Sequence, residues 1–278
     1  MAKRAQGKGT LLIIGGAEDP DDDNLRILPH LAQLAGGKRA RIMVCAAATE
    51  EPAGSLRNYR ALFEKIGVAE VMGVPFNDRA EGNDPKVLEQ LERATGVFLI
   101  GGDQLRITSV LAGTDFASRL SERFQTERLF VAGTSAGAAA MSSTMIIRGD
   151  GGSVCRNTVE LAPGLGYLDE SVIDTHFERR GRIQRVMVVF AQNPGTVGIG
   201  IDGNTAIELK PSGRFTVLGR GVVFVFDGRV THSNVAQVKE SDPLALTDCK
   251  VHVLPEGYGF SLKTKRPIVP KGSRKSGD

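Results

Sequence analysis

The chain contains no tryptophan, and tyrosine, phenylalanine and cysteine are few. Its 278 residues include three tyrosines, twelve phenylalanines and three cysteines. Cys45, Cys155 and Cys249 are far apart, odd in number and not in metal-ligand spacing, which argues against a disulfide framework or a zinc site. Aromatic residues make up 5% of the chain and none interleaves with a basic motif, so nucleic-acid binding is not expected. We predict a protein without metal or cofactor.

Long hydrophobic runs are also missing. No window approaches the roughly 20 apolar residues of a membrane-spanning helix. The basic N-terminus leads only into a short apolar run, Leu11 to Ile14, and is a poor signal peptide. The net charge of +3 comes from the first eight residues and the tail beyond Lys263, so the body between them is acidic. We therefore expect a cytoplasmic protein that binds neither membranes nor nucleic acid.

The chain does have a regular alternation of short apolar runs and helical patterns. Helical spacing of apolar residues occupies 24–34, 56–66, 85–94 and 107–124, and the runs of strand length occupy 10–14, 40–45, 69–74, 96–100 and 129–132. Continuously apolar strands separated by helices predict an α/β fold with a doubly wound, mostly parallel sheet.

The pattern changes after about residue 195. Short strand candidates occupy 197–201, 205–209, 215–218, 221–226 and 235–238, and they are joined by turn-forming residues such as Pro211-Ser212-Gly213 and Asp227-Gly228. This pattern predicts antiparallel hairpins that extend the sheet in the C-terminal third. Because no linker interrupts the chain, we expect one domain over 10–262, a flexible N-terminus over 1–9 and a basic disordered tail over 263–278.

A candidate nucleophile lies where a strand pattern meets a helix pattern. Gly133-Thr134-Ser135-Ala136-Gly137 matches G-x-S-x-G, follows an apolar strand and precedes a small-residue helix predicted for 138–145. The amide of Ala136 would then face a developing oxyanion, and a backbone amide of the segment Gly101-Gly102-Asp103-Gln104 would reach the same sheet edge. The alternatives are a plain strand-to-helix turn or a phosphate cradle, but no Walker lysine follows the glycines.

One of the four histidines has neighbours that favour catalysis. His30 falls in a helix pattern, whereas His232 and His252 fall in the antiparallel region. His176 ends the apolar run Val172 to Asp174 and precedes four arginines, at 179, 180, 182 and 185. A lone histidine is usually structural, but one downstream of an elbow serine is a candidate general base.

Together these segments resemble the cyanophycinases, which share a serine peptidase family with dipeptidase E. The resemblance covers about residues 10 to 240 and is carried by five segments in the family's order: Gly-Gly-Asp-Gln-Leu (101–105), Gly-Thr-Ser-Ala-Gly-Ala (133–138), Leu-Ala-Pro-Gly-Leu-Gly (161–166), Asp-Thr-His-Phe-Glu-Arg-Arg-Gly-Arg (174–182) and Gly-Ile-Gly-Ile-Asp (198–202). It implies a domain similar to class I glutamine amidotransferases, and a homodimer.

The resemblance also implies a reaction and a role for each residue. The substrate would be cyanophycin, a polyaspartate with arginine on each side-chain carboxyl, and the product would be β-Asp-Arg. Ser135 would be the nucleophile, His176 the general base, and Gly102 and Ala136 the oxyanion donors. The residues that match the family's substrate pocket are Gln104, Asp174, Thr175, Arg180, Arg182 and Arg185. Arginine forks suit substrate carboxylates, and a carboxylate such as Asp174 suits a guanidinium.

The sequence departs from the family where a third triad member is expected. Related enzymes carry a glutamate that orients the histidine, and this chain has Gly203 there; Thr175 also replaces a common glutamine. Three hypotheses follow. Asp202 or Glu208 replaces the glutamate in an active hydrolase, with Asp202 taken as the candidate; a rearranged site cleaves aspartyl or isoaspartyl dipeptides; or the chain binds polymer without cleaving it.

Overall fold

A parallel sheet forms the centre of the computed structural model, which describes residues 7–18, 25–149, 152–230 and 232–270. Its five parallel strands lie in the spatial order β1-β5-β4-β2-β3. They are β1 (Thr10–Ile14), β2 (Arg41–Cys45), β3 (Glu70–Val74), β4 (Gly96–Leu99) and β5 (Phe130–Thr134). The carboxyl ends of all five therefore meet at one edge, where open α/β sheets place their sites.

Helices cover both faces of this sheet, as predicted for a doubly wound fold. Along β1, Leu12 and Ile14 pack into the cluster that contains helices α1 (Ile27–Leu34) and α2 (Pro52–Ile66). Leu11 and Ile13 point to the opposite face, because side chains alternate along a strand, and join the larger core. That core also takes in apolar residues of α3 (Pro85–Arg93), α4 (Gln104–Leu111), α5 (Asp115–Thr126) and α6 (Ala136–Ala139).

Two predicted helices are wrong in extent. The pattern over 107–124 is split between α4 and α5 by Gly113, which has a φ of 76°, and by Thr114, whose hydroxyl accepts from the Ala117 amide and caps α5. The small-residue helix predicted for 138–145 is the single turn α6. It is short because Met145 already belongs to a strand, β6 (Thr144–Gly149).

The C-terminal third adds antiparallel strands to the central sheet, as predicted. β10 (Thr205–Leu209) pairs with β1, followed outward by β11 (Arg214–Gly219), β16 (Gly259–Ser261) and β17 (Arg266–Ile268). The turn Pro211-Ser212-Gly213 connects β10 to β11, as expected. The strand β17 lies inside the tail that we expected to be disordered, whereas residues 271–278 are outside the described range.

Not all of the late strands join that sheet. A second sheet has the order β15-β12-β9-β8, built from β8 (Ser171–Thr175), β9 (Val197–Ile201), β12 (Val223–Asp227) and β15 (Lys250–Leu254). Helix α7 (Ile183–Gln192) covers one face of it. The smaller ladders are β6 with β7 (Val159–Pro163), and β13 (His232–Ser233) with β14 (Leu246–Thr247).

The strand predicted for 235–238 is absent, because Asn234 organises a turn there. Its carbonyl accepts from the Gln237 amide (2.9 Å), and its side chain accepts from the Ala245 amide (2.8 Å).

Residues from both larger sheets share one hydrophobic core. Ile13 and Ile207 of the central sheet cluster with Ile199 and Val225 of the second sheet. From this shared core we propose that residues 10–262 form one domain. At the N-terminus, residues 1–6 are outside the described range, and the amides of Lys8 and Gly9, which were expected to be flexible, donate to carbonyls at the end of α5. No helix among the described residues is long and apolar enough to cross a membrane.

Candidate active site

Ser135 lies on a sharp turn at the carboxyl end of β5. Its backbone has φ 51° and ψ −115°, a conformation that residues other than glycine rarely adopt and that costs about 1–3 kcal/mol. The Ser135 amide donates to the carbonyl of Ile14 at the end of β1 (3.0 Å), which holds the turn in place. The predicted nucleophile elbow is therefore present, with its hydroxyl at the edge of the sheet.

Close backbone packing around the elbow explains its glycines. A Cβ on Gly137 would lie 2.2 Å from the Leu99 carbonyl oxygen, and a Cβ on Gly101 would lie 3.2 Å from the Cβ of Ser135. Gly102 has a φ of 142°, and a Cβ there would lie 2.2 Å from the Ala48 carbonyl oxygen. Neither the Gly102 amide nor the Ala136 amide has an acceptor among the described residues. Both donors remain free for a ligand oxygen near Ser135.

His176 meets Ser135 from the second sheet. It follows β8 with a φ of 50°, and its amide donates to the Gly15 carbonyl (2.9 Å), one residue beyond the carbonyl that holds Ser135. Its Nε2 lies 3.0 Å from the Ser135 hydroxyl oxygen. A Cβ on Gly16 would lie 2.4 Å from both Cε1 and Nε2 of the ring, so this glycine leaves the space that the imidazole occupies.

The surroundings of His176 favour its neutral form. Partial burial lowers the pKa of His176 below its usual range, and the positive charges of Arg180, Arg182 and Arg179 lower it further. A neutral imidazole can take a proton from a hydroxyl at 3.0 Å. None of the described residues forms a hydrogen bond with the other ring nitrogen, Nδ1.

Neither carboxylate expected to replace the triad glutamate contacts His176. Asp202 is buried, and its Oδ1 and Oδ2 accept from the amides of Glu178 (2.9 Å) and Val222 (3.2 Å). It therefore ties the loop that follows His176 to the start of β12. Glu208 lies 2.8 Å from His30 on α1. Both carboxylates satisfy nearby donors, which sequence spacing does not reveal.

Asp174 and two arginines form a buried ion cluster instead of an open pocket. Asp174 is 1% exposed, and its Oδ1 accepts from Arg182 Nη1, Arg185 Nη2 (both 2.9 Å) and the Thr175 amide (3.0 Å). Its Oδ2 lies 2.7 Å from Arg185 Nε. Burial raises the pKa of Asp174, opposed by the charges of Arg185 and Arg182. Because Asp174 is buried against two arginines and Thr175 is also buried, neither residue is open to a ligand, contrary to our expectation.

The other two residues predicted to bind substrate lie nearer the surface. Arg180 is exposed, and its guanidinium forms no hydrogen bond or ion pair with a described residue. Gln104 begins α4, and its Nε2 donates to the carbonyls of Ile146 (2.8 Å) and Ile147 (3.3 Å) in β6. It therefore anchors the β6–β7 hairpin beside the Gly101-Gly102 loop.

Glu18 is part of the site and was missed by the sequence analysis. Its Oε2 accepts from the hydroxyl of Thr134 (2.6 Å), the residue before Ser135, and its Oε1 accepts from the hydroxyl of Tyr59 (2.8 Å). Burial and the charge of Glu18 raise the pKa of Tyr59 above its usual range. The segment Gly15-Gly16-Ala17-Glu18 directly after β1 was a signal for this, since it lies at the carboxyl edge of the sheet.

Several known proteins resemble this chain in sequence or in fold. Residues 11–216 match the family described as peptidase family S51. A cyanophycinase from Geminocystis herdmanii is 35% identical over 94% of this chain and 97% of its own length. One from Synechococcus elongatus is 37% identical over 92% of this chain and 80% of its own. A crystal structure of a peptidase from an acI-B1 actinobacterium has the same fold, with a TM-score of 0.67 at 18% identity, covering 92% of this chain and 98% of that one.

Proposed function

Because this chain belongs to peptidase family S51, we propose that it hydrolyses cyanophycin and releases β-Asp-Arg through an acyl-enzyme on Ser135. The observation that carries the proposal is the 3.0 Å contact between the Ser135 hydroxyl and His176 Nε2 on an elbow with two free amides. A serine beside a neutral imidazole and unpaired amide donors supplies the parts needed for acyl transfer.

The proposed reaction follows from these positions. His176 Nε2 accepts the proton of Ser135 as Oγ bonds to the carbonyl carbon of the scissile amide, and the amides of Gly102 and Ala136 donate to the resulting oxyanion. The imidazolium then protonates the leaving amine as the C–N bond breaks. Water, activated by the same imidazole, hydrolyses the ester and restores Ser135. The lowered pKa of His176 keeps the base neutral at the start of the cycle.

The remaining residues are assigned supporting roles. Arg180 is the exposed arginine that binds a substrate carboxylate, and it lies on the loop that follows His176. Arg182, Arg185 and Asp174 hold that loop: Arg182 Nη1 also donates to the Thr175 carbonyl (2.5 Å), next to His176. Asp202 is a positioning residue rather than the third triad member. A cytoplasmic location and a homodimer remain predictions.

Release of β-Asp-Arg from purified cyanophycin tests the proposal. The wild-type chain should release the dipeptide, and Ser135→Ala should lose roughly 10⁴- to 10⁶-fold in turnover, as when an activated serine is removed from other hydrolases. Ser118→Ala is a matched control, because Ser118 lies on α5, away from the elbow.

Two results would contradict the proposed function. If β-Asp-Arg is not released by the wild-type chain, cyanophycin is not its substrate or the site only binds polymer. If Ser135→Ala and the wild type turn over equally fast, the hydrolysis does not proceed through Ser135.

A further inference from the structure

A cavity of about 320 Å³ lies directly beside the proposed oxyanion site. Residues 102–105 of the loop that begins α4 line one side, and Ile147, Arg148 and Glu160 of the β6–β7 hairpin line the other. Gly102 belongs both to this wall and to the proposed oxyanion donors. A volume near 300 Å³ is at the lower end of the range for small-ligand sites, large enough for one side branch of a polymer.

Two opposite charges line the cavity without neutralising each other. Arg148 and Glu160 are partners in the β6–β7 ladder, where opposite charges commonly pair. Both are exposed, and neither forms an ion pair or a side-chain hydrogen bond with any described residue. The ladder has a register shift between Ile146 and Arg148, which turns the strand locally. The cavity wall therefore presents one free cation and one free anion.

The buried state of Asp174 makes this wall relevant to substrate selection. Asp174 is occupied by Arg182 and Arg185, so a substrate guanidinium needs another carboxylate. Asp103 also lines the cavity, but its Oδ1 already accepts from the Leu105 amide as the cap of α4 (2.8 Å). Of the carboxylates that line the cavity, Glu160 is the one with no hydrogen-bond donor among the described residues.

We propose that this cavity binds one arginine branch of the substrate, with Glu160 receiving the guanidinium and Arg148 receiving the branch carboxylate. An arginine attached through its α-amino group carries both charges, and both forks can form charge-assisted hydrogen bonds. The inference rests on the proposed function and deepens it, because it assigns selectivity for arginine to the β6–β7 hairpin beside the oxyanion loop.

Binding to an inactive enzyme tests the inference separately from hydrolysis. In the Ser135→Ala background, calorimetry measures the Kd for a soluble β-Asp-Arg oligomer and for its citrulline counterpart, which has the same shape without the guanidinium charge. Glu160→Gln and Arg148→Met should each raise the Kd for the arginine oligomer about tenfold, the size expected for one charge-assisted hydrogen bond. Glu160→Gln should also abolish the preference for arginine over citrulline, which a purely structural role would leave intact.

Matched controls and the outcomes separate this inference from the proposed function. Glu89→Gln on α3 and Arg214→Met on β11 are exposed and lie outside the cavity, so their Kd should equal that of the parent. Unchanged affinity and selectivity in both cavity variants would overturn the inference even if the wild-type chain hydrolyses cyanophycin. Loss of selectivity in Glu160→Gln would support it even without hydrolysis. No binding by the parent would overturn both.

Discussion

Ser135 and His176 are held by different kinds of interaction, although both are fixed to the end of β1. Ile14 and Gly15 provide successive carbonyls, one for the amide of Ser135 and the next for the amide of His176. Apart from the contact with His176 Nε2, the remaining contacts around Ser135 are close approaches at glycines. Around His176 they are charged: Asp174 with two arginines, and Asp202 with two amides.

The two sets of contacts differ in what they do: those around Ser135 position its hydroxyl, whereas those around His176 also change the pKa of the imidazole. Backbone packing at the elbow positions the Ser135 hydroxyl. The charged loop after His176 both positions the imidazole and lowers its pKa. Changes to the charged residues around His176 should therefore alter stability and pH dependence. Changes at Gly16, which packs against both Ser135 and His176 and is called the junction below, should alter turnover.

The largest effect is expected from breaking the buried cluster. Asp174→Asn leaves the guanidiniums of Arg182 and Arg185 without a counter-charge inside the protein, and the free energy of unfolding should fall by about 3 kcal/mol, roughly 150-fold in the unfolding equilibrium. Urea denaturation measures this. Glu92→Gln, which breaks the surface pair of Glu92 with Arg119, is the control and should leave the free energy of unfolding nearly unchanged. Equal losses in the two variants would show that the cluster is not a structural core of the His176 side.

The next largest effect is expected at the junction itself. Gly16→Ala places a methyl group 2.4 Å from two ring atoms of His176, so the ring must move away from Ser135. We expect kcat for β-Asp-Arg release to fall about 100-fold, since a displacement near 1 Å costs this much. Gly16 has a φ of 93°, and Gly67 has a φ of 88° with no described neighbour within 4 Å of an added Cβ. Gly67→Ala is therefore the control that introduces similar backbone strain without the clash. Equal kcat in both variants would contradict the role of Gly16.

A gain of activity is expected at Gly203. Among the described residues, a Cβ there would contact only Ala17 Cβ at 3.4 Å and the Gly16 carbonyl oxygen at 3.6 Å, so a side chain fits next to the segment that packs against His176. Gly203→Glu should raise kcat about tenfold or more by supplying a carboxylate for Nδ1, a group whose disabling costs about 10⁴-fold in serine proteases. Gly203→Gln has the same size without the charge and should gain less. If Gly203→Glu gains nothing, Nδ1 is already oriented by another group.

The smallest effect concerns pH. His176 acts as a base only when neutral, so its lowered pKa extends activity to lower pH. Arg180→Met removes one positive charge that lowers this pKa; the pKa should rise, and the acid limb of kcat should move to higher pH. The pH profile of kcat measures the shift, and Arg214→Met on β11 should leave it in place. A shift in the opposite direction would contradict the electrostatic role of the loop.

Local patterns were enough to predict several parts of this protein. Neighbours within a few residues determine the strands β1 to β5, the elbow at Ser135 and the strand β8 that precedes His176. Contiguous apolar runs and small residues at a bend describe such elements fully. The prediction was wrong where a local pattern competed with long-range packing, as with the helix expected for 138–145 and the strand expected for 235–238.

The partners of the charged groups were decided only by the tertiary structure. Three hydrogen bonds show this: Asp202 accepts from the amide of Val222, 20 residues away, Asp174 accepts from Arg185, 11 residues away, and Glu18 accepts from Tyr59, 41 residues away. The sequence by itself determined the fold class and placed Ser135 and His176 as the candidate nucleophile and base, because these follow from periodicity and local turn chemistry. Which carboxylate is buried, which faces a ligand and which reaches the imidazole depends on how the two sheets pack, since a charged group is satisfied by whichever donors that packing brings within about 3 Å.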